Sequence, residues 1–573
     1  MEAGKRFVND FFNGNKKLIV PFFQRSYVWQ EDQWKRFLSD MQFISDNNAE
    51  YFLGSVILKQ QSTSSDSVVG DQRTIIDGQQ RLTTLSIFLK VLALRKNINS
   101  SAERLFILED GTTAISHCFQ CKDRYEQIMM LNTLEDIQDS NNGIVLAYNY
   151  FKKVIDENTT LDFNKIKNKI QFVGIDLQSN EDEQQIFDTI NSLGVKLTTA
   201  ELLKNFFYDV DSYEKYKQEW VPIFERDDDC RKYWSTELTT GRLSRSNIEY
   251  FFYAFLQIKI QDKSLNLSAE DKAFYRKSSE GLFTNYKNFI SKCKIDKEDF
   301  LKEVLSYAQL YKQYFRTSIL SEALTSDNYI DRINVLIYGL DGTTMIPYIL
   351  YVLKNVVDVT ERDKIFKYLE SYIIRRLICR SSNNNYSDLF TESLIGKEVR
   401  SCLNLQDYLS GKSEATSLSM PNDYSVVDGF NKSILTNVRA KGILYMMESK
   451  IRPSNMYSTT INGFNSYSLE HLMPKKWKNN WGVAEDEDRR NELVLTLGNL
   501  AIITCALNSS IRDSAWGDKL NGRGRYSGLT TYAAGLETMK DVLNKAVWNE
   551  DTIQERAKKM AEIANNVWPY DYE

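Results

Sequence analysis

The feature that most constrains this chain is the order of four polar side chains near its C-terminus. Glu470 and His471 lie in Ser468-Leu469-Glu470-His471-Leu472-Met473-Pro474, Asn499 in Leu497-Gly498-Asn499-Leu500, and Asn508 in Leu507-Asn508-Ser509-Ser510. The run from Glu492 to Gly498 alternates and closes on Gly-Asn, which predicts a hairpin strand there. The spacing therefore predicts a strand ending at His471, a second strand near Asn499, and a helix entered at Asn508. A lone His beside a Pro is also an ordinary strand-end residue, and Asn is common in turns. The joint pattern carries the inference, in a chain with only 2 histidines among 573 residues.

Those residue types suit phosphodiester hydrolysis. A neutral imidazole, with an unperturbed pKa of about 6.5, can take a proton from water. A hard cation such as Mg2+ prefers oxygen ligands and keeps several waters, so one or two protein oxygens suffice to hold it. Glu470 and the Asn508 amide are the candidate metal ligands, and Asn499 is the candidate for holding the His471 loop or ring. The plan resembles that of the HNH, or His-metal finger, nucleases. Glu-His-x-x-Pro, Leu-Gly-Asn-Leu and Leu-Asn-Ser-Ser together resemble the C-terminal domain of the GmrSD family of modification-dependent (type IV) restriction enzymes. Trp548, Ile553, Arg556, Met560, Ala561, Ala564 and Trp568 resemble that domain's closing helix. Ile553, Arg556, Met560 and Ala564 recur at steps of three and four, so they also read as one structural helical face.

A second motif lies far upstream, Thr74-Ile75-Ile76-Asp77-Gly78-Gln79-Gln80-Arg81-Leu82-Thr83-Thr84-Leu85. The run before Asp77 is short and β-branched. After Arg81, Leu82, Leu85, Leu89 and Leu92 keep a helical period. Asp-Gly-Gln-Gln-Arg thus occupies a strand-to-helix turn, and the free amides of a helix N-terminus suit a phosphate. Gly78 would allow close backbone approach, and Arg81 could fork onto phosphate oxygens. Asp77 could hold a metal or orient water, and Gln79 and Gln80 could hydrogen-bond a ligand. Asp-Gly is equally an ordinary turn, and Arg is ordinary in a first helical turn.

This string resembles the signature of the GmrSD N-terminal domain, a ParB-like fold. So do Ile19-Val20-Pro21-Phe22-Phe23-Gln24-Arg25-Ser26-Tyr27-Val28-Trp29 with Phe52-Leu53-Gly54-Ser55, and Ile186 to Thr198 running into Leu202-Leu203-Lys204-Asn205. The resemblance implies a nucleotide site at Asp77, Gly78, Gln79, Gln80 and Arg81, with Gln24 and Arg25 beside it. ATP and GTP both remain open. It makes Tyr27 and Trp29 candidates for sensing a modified nucleotide, although both also read as core aromatics. Phe23 stands where the family usually has tyrosine, so a hydroxyl contact is missing there. Asn191 and Gly194 read as a helix-ending turn, Thr198 or Thr199 as the next cap, and Lys204 as a solvated lysine or a phosphate contact.

Composition bounds the rest. Apolar residues at 42% and charged residues at 26% describe a globular protein, and a 66.7 kDa chain exceeds one domain. The net charge of −5 requires any DNA-binding face to be a local patch. Lys475, Lys476 and Lys478 form one candidate, and Arg375, Arg376 and Arg380 another. Cys118 and Cys121 form a lone Cys-x-x-Cys beside His117, with no second pair for a zinc site, and reduced thiols explain the 7 cysteines better. The chain's start lacks a signal-peptide core, and no apolar run reaches the roughly 20 residues of a membrane span. A cytoplasmic location is expected, with no membrane partner.

The expected fold is α+β and mostly helical. It comprises a ParB-like α/β nucleotide-binding and sensor domain over 1–205, a helical region over 206–410, and a ββα-metal nuclease domain over 411–573. Helices are expected at 185–190, 200–207, 247–260, 300–314, 363–376 and near 429–449, a loop at 381–385, and a hinge at 411–422. The expected function is nucleotide-regulated, Mg2+- or Mn2+-dependent cleavage of foreign, modified phage DNA. Two other readings stay open: an NTP-switched DNA-binding regulator with an inactive nuclease domain, and an RNA-cleaving toxin. A homo-oligomer is compatible with all three.

Overall fold

The computed structural model describes residues 2–22, 24, 26–61, 71–118, 121–139, 142–156, 159–178, 198–208, 212–240, 243–277, 281–410, 418–453, 460–533 and 535–571. Arg25, the 186–197 string with Asn191 and Gly194, and the 411–417 part of the expected hinge lie outside the described residues. The chain divides into two compact units, Met1–Gln218 and Glu219–Glu573.

The first unit is built on a six-stranded mixed sheet in the order β1-β6-β3-β4-β2-β5. Its strands are β1 (Glu2–Phe7), β2 (Lys16–Ile19), β3 (Tyr51–Gln60), β4 (Asp71–Asp77), β5 (Ile115–Ser116) and β6 (Ile170–Leu177). β4 pairs antiparallel to β3 and parallel to β2, and so lies inside the sheet. The helix Gln79–Arg95 follows it directly. Leu82, Leu85, Leu89 and Leu92 are buried as their period predicts, but so are Ile87, Phe88, Val91 and Ala93 between them. A helix apolar on all sides is a central one. It packs against Gly143–Val154 and Asn99–Phe106, while Trp34, Phe37, Met41 and Ile44 of Glu31–Asn47 join the same core. Thr198 caps Thr199–Phe207 with a reciprocal Glu201 contact. Lys204 on that helix is buried with its ammonium over the Tyr216 ring, rather than solvated.

The second unit is mainly helical. Helices Asn247–Lys259, Lys297–Tyr314 and Val359–Ile378 cover the runs expected from sequence. The helix expected near 429–449 is instead two, Asp423–Lys432 and Asn437–Ile451, because Thr436 opens a new cap. A small hairpin forms from β7 (Glu237–Thr240) and β8 (Leu243–Ser246). The sequence boundary at 410 does not separate compact units here, and buried ion pairs show why. Arg332 forks onto Glu370 at 2.6 and 2.7 Å and also donates to Ser449 Oγ at 2.9 Å, while Trp568 Nε1 donates to Glu370 Oε1 at 2.7 Å. Separating the two segments would take from this buried pair its bonds to Ser449 and Trp568.

Arg375 and Arg376, expected as part of a phosphate patch, are buried and committed. Arg375 donates to Pro421 O and Trp568 O and pairs with Asp423. Arg376 donates to Tyr386 Oη and Ser419 O. Guanidinium forks with this many acceptors serve packing here, and only Arg380 of the trio is exposed. Among the described residues, no helix is long and apolar enough to cross a membrane.

Candidate functional site

In the second unit, β9 (Tyr467–His471) pairs antiparallel with β10 (Leu500–Thr504), placing His471 opposite Leu500. Thr504 caps the helix Cys505–Ile511 that follows at once, so strand, strand and helix form one ββα unit carrying His471 and Asn508. The strand expected over 492–498 is absent. Helix Glu487–Leu493 and a single 3-10 turn at Leu497–Asn499 occupy that stretch. Leu493, Val494 and Leu497 are the buried apolar residues, a spacing that also fits helical turns. Asp486 accepts from Arg489 N as the cap that decides it.

Asn499 is fully buried and every arm of its amide is used. Oδ1 accepts from Met473 N at 2.8 Å and from Trp548 Nε1 at 3.0 Å. Nδ2 donates to Met473 O at 2.8 Å and Val494 O at 2.9 Å. Its own carbonyl accepts from Leu472 N at 3.0 Å. The residue therefore holds the main chain just after His471, not the imidazole ring. The closing helix Glu550–Val567 backs this turn. Arg556 donates to Gly498 O and Leu500 O, both at 2.8 Å. A Cβ on Gly498 would lie 2.4 Å from Ile553 O, so only glycine lets that helix approach. Ile553, Arg556, Met560 and Ala564 are buried on one face, but Arg556 does more than pack: it fixes the Asn499 turn.

His471 is half-buried. Burial, with Lys475 and Lys519 nearby, pushes its pKa down to about 4. The ring is neutral at pH 7 and able to accept a proton.

Glu470, expected as a metal ligand, is engaged elsewhere. Its carboxylate is buried against the fully buried ammonium of Lys519, which also donates to His471 O at 2.8 Å. Asn508 Nδ2 donates to Ser468 Oγ at 2.9 Å and Leu469 O at 3.0 Å, tying the helix to β9. Asn508 Oδ1 takes part in neither bond. Among the described residues, no cluster of three or more His, Cys, Asp or Glu could hold a metal. A hydrated oxygen-seeking cation needs only one or two protein oxygens, and Asn508 Oδ1 suits one, whereas Glu470 has Oε1 engaged by Lys519. The reading from sequence missed Lys519, for a lysine in Trp516-Gly517-Asp518-Lys519-Leu520 carries no local sign of burial.

In the first unit, Asp77 ends β4, and Gly78 takes φ +100° to open the helix Gln79–Arg95. A Cβ on Gly78 would lie 2.8 Å from Val56 Cγ2, so the turn requires glycine on both counts. Arg81 donates to Asp77 Oδ2 at 2.8 Å and to Ser55 O at 2.7 Å. Gly54, at φ +126°, leaves room for it, since a Cβ there would meet Arg81 Nε at 3.1 Å. Gln24 donates to Ile75 O at 2.6 Å. Gln80 grips the Tyr27 segment, accepting from Val28 N at 2.9 Å and donating to Ser26 O at 3.2 Å. Gln79 Nε2 and Arg81 Nε are buried without a protein acceptor. Two orphaned donors beside the open amides of a helix start fit an anionic group such as a nucleotide phosphate.

Of the sensing candidates, Tyr27 presents no surface. It is buried, with its hydroxyl bonded to Thr84 Oγ1 at 2.6 Å and Trp34 Nε1 at 2.8 Å. Burial pushes that phenol well above its ordinary pKa. Trp29 is half-buried against the same core. Lys475, Lys476 and Lys478 are exposed near His471, with Lys478 paired to Glu487.

Residues 8–208 match the sequence model of the GmrSD restriction endonuclease N-terminal domain, and residues 421–563 match that of the C-terminal domain. The two matches cover more than half of the chain, in order, and the chain belongs to the GmrSD restriction endonuclease family. No curated protein matches it.

Proposed function

We propose that this chain is a type IV, HNH-type endonuclease that cuts modified foreign DNA, such as that of phage, under control of a nucleotide bound at the Asp77–Arg81 turn. The observation that carries this is the imidazole of His471, set at a strand end whose following loop is locked by Asn499. His471 acts as general base, taking a proton from the water whose oxygen attacks phosphorus as the leaving oxygen departs. Asn508 Oδ1 would hold a divalent cation, Mg2+ or Mn2+, which would supply counter-charge for the phosphate and the leaving oxygen. Lys475 and Lys476, exposed beside this loop, contribute DNA-backbone contacts. At the other site, Arg81 and the first-turn amides hold nucleotide phosphate while Asp77 keeps Arg81 in place.

The test is a Mg2+-dependent cleavage assay on unmodified, glucosylated hydroxymethylcytosine and phosphorothioated DNA, with and without ATP or GTP. Cutting is expected to require one modification and to vanish in His471→Ala with nucleotide turnover intact. Equal cutting by His471→Ala and wild type would refute the nuclease reading. Asp77→Ala and Arg81→Ala are expected to lower nucleotide turnover by about tenfold or more, as loss of a charge-assisted phosphate contact does. Unchanged turnover in both would remove the nucleotide site from this turn.

A further inference from the structure

Lys519 is 0% exposed, yet neither catalysis nor family resemblance has given it a task. It lies on the short helix Trp516–Asn521, and its ammonium reaches two groups at once, the Glu470 carboxylate and His471 O. Neighbouring residues of a strand point to opposite faces. Glu470 and Ser468 therefore share one face of β9, where Lys519 meets the first and Asn508 the second. The helix that delivers Lys519 is itself fixed. Trp516 Nε1 donates to Lys545 O at 2.9 Å, and the Trp516 ring stacks on Trp548 at 5.2 Å. Trp548 in turn donates to Asn499. The loop carrying the general base is thus held from two sides, at His471 O by Lys519 and at Met473 N and O by Asn499.

We propose that Lys519 is a positioning residue for the cleavage reaction, and that Glu470 acts through Lys519 rather than on the metal. The proposal rests on the nuclease reading above. A charge-assisted bond to the His471 carbonyl fixes the peptide plane after it, and with that the direction of the imidazole. Glu470 neutralises the ammonium so that it can sit in the core at all. Lys519 holds Glu470 through Oε1, so a cation on Glu470 would have to share the carboxylate with the ammonium.

The test uses the full chain, with Glu470→Gln, Lys519→Met, Lys519→Arg and the double variant Glu470→Gln/Lys519→Met, and His471→Ala as control. Three quantities are read: kcat and KM for DNA cleavage, Mn2+ affinity by electron paramagnetic resonance of the unbound ion, and amide exchange over residues 471–473. Lys519→Met and Glu470→Gln are each expected to lower kcat by about tenfold or more, the effect of removing an outer orienting partner. KM and Mn2+ affinity should stay within about threefold, while Lys519→Arg recovers part of kcat. The double variant should fall no further than Lys519→Met, because the two act as a unit. Exchange over 471–473 should rise by about tenfold in Lys519→Met, a readout independent of cleavage.

Weakening of Mn2+ binding by about tenfold in Glu470→Gln would make Glu470 a ligand and overturn the proposal. So would unchanged exchange, or a kcat within about twofold, in Lys519→Met. If Lys519→Met fails to fold by circular dichroism, Glu470→Gln and Lys519→Arg carry the same comparison. Cutting that depends on His471 but ignores Lys519 defeats this proposal alone, whereas cutting that ignores His471 defeats the nuclease reading.

Discussion

Replacing Asn499 by alanine would remove a side chain that makes four hydrogen bonds in a fully buried position. Two donors, Met473 N–H and the Trp548 indole N–H, lose their acceptor. A stranded buried donor costs roughly 1–3 kcal/mol, so the two give about 2–6 kcal/mol, and about 4 kcal/mol is expected. Met473 O and Val494 O lose a donor as well, but a carbonyl keeps a second lone pair and suffers less. The assay is urea unfolding followed by hydrogen exchange in C-terminal peptides, which separates the Glu219–Glu573 unit from the first. Cleavage should fall with it, since the loop after His471 is freed.

Asn499→Asp gives the sharper version. Its carboxyl keeps the oxygen facing Met473 N and Trp548 but turns the other arm, now an oxygen, toward two carbonyls. Only the protonated acid can donate there, so its folded pKa rises above the unfolded value of about 3.9. The folded state then binds more protons, and the variant's stability is retained at low pH and lost as pH rises through the folded pKa. A cost of less than about 1 kcal/mol in Asn499→Ala, or an Asn499→Asp penalty equal at pH 4.5 and pH 8, would refute the account of this side chain.

Two further outcomes test the first unit. Gly78→Ala must adopt φ +100° and place its Cβ 2.8 Å from Val56 Cγ2. A left-handed residue costs roughly 1–2 kcal/mol and overpacking roughly 1–3, so thermal unfolding should show a loss of about 2–5 kcal/mol, and a loss under about 1 would show that the turn relaxes. His117 is buried, bonded to Thr83 Oγ1 at 3.1 Å, and burial pushes its pKa down to about 3. Between the unfolded value of about 6.5 and 3 the unfolded chain binds more protons, so stability rises with pH there and is lost by up to about 1.4 kcal/mol for each unit by which pH drops. His117→Gln should remove that part of the slope, and an unchanged slope would place the acid sensitivity elsewhere.

Much of both sites was legible because it is local. The Ile-Ile-Asp-Gly step from strand to helix depends on residues beside it, and Gly78 takes the left-handed backbone that such a turn needs. The period of Leu82, Leu85, Leu89 and Leu92, and of Ile553, Met560 and Ala564, marks faces that are indeed buried. The order His471, Asn499, Asn508 survives as two strands and a helix, although the second strand begins after Asn499 rather than before it. There the sequence was ambiguous, because Leu493, Val494 and Leu497 satisfy a strand and a helical turn equally.

The sequence by itself therefore determined where the chemistry-bearing residues fall on strand, turn and helix. The tertiary structure decided which of their charges face solvent and which are spent inside. Glu470 is a candidate ligand by sequence, and Lys519, 49 residues on, engages its Oε1 in the fold. Arg375 looked like a phosphate contact until Trp568 O, 193 residues away, claimed it. Asn499 could serve the His471 loop or its ring by sequence, and its bonds go to the loop at Met473, with Val494 and Trp548. Periodicity and turn chemistry act between near neighbours, whereas the state of a buried charge is set by whichever distant group the fold brings within hydrogen-bonding reach.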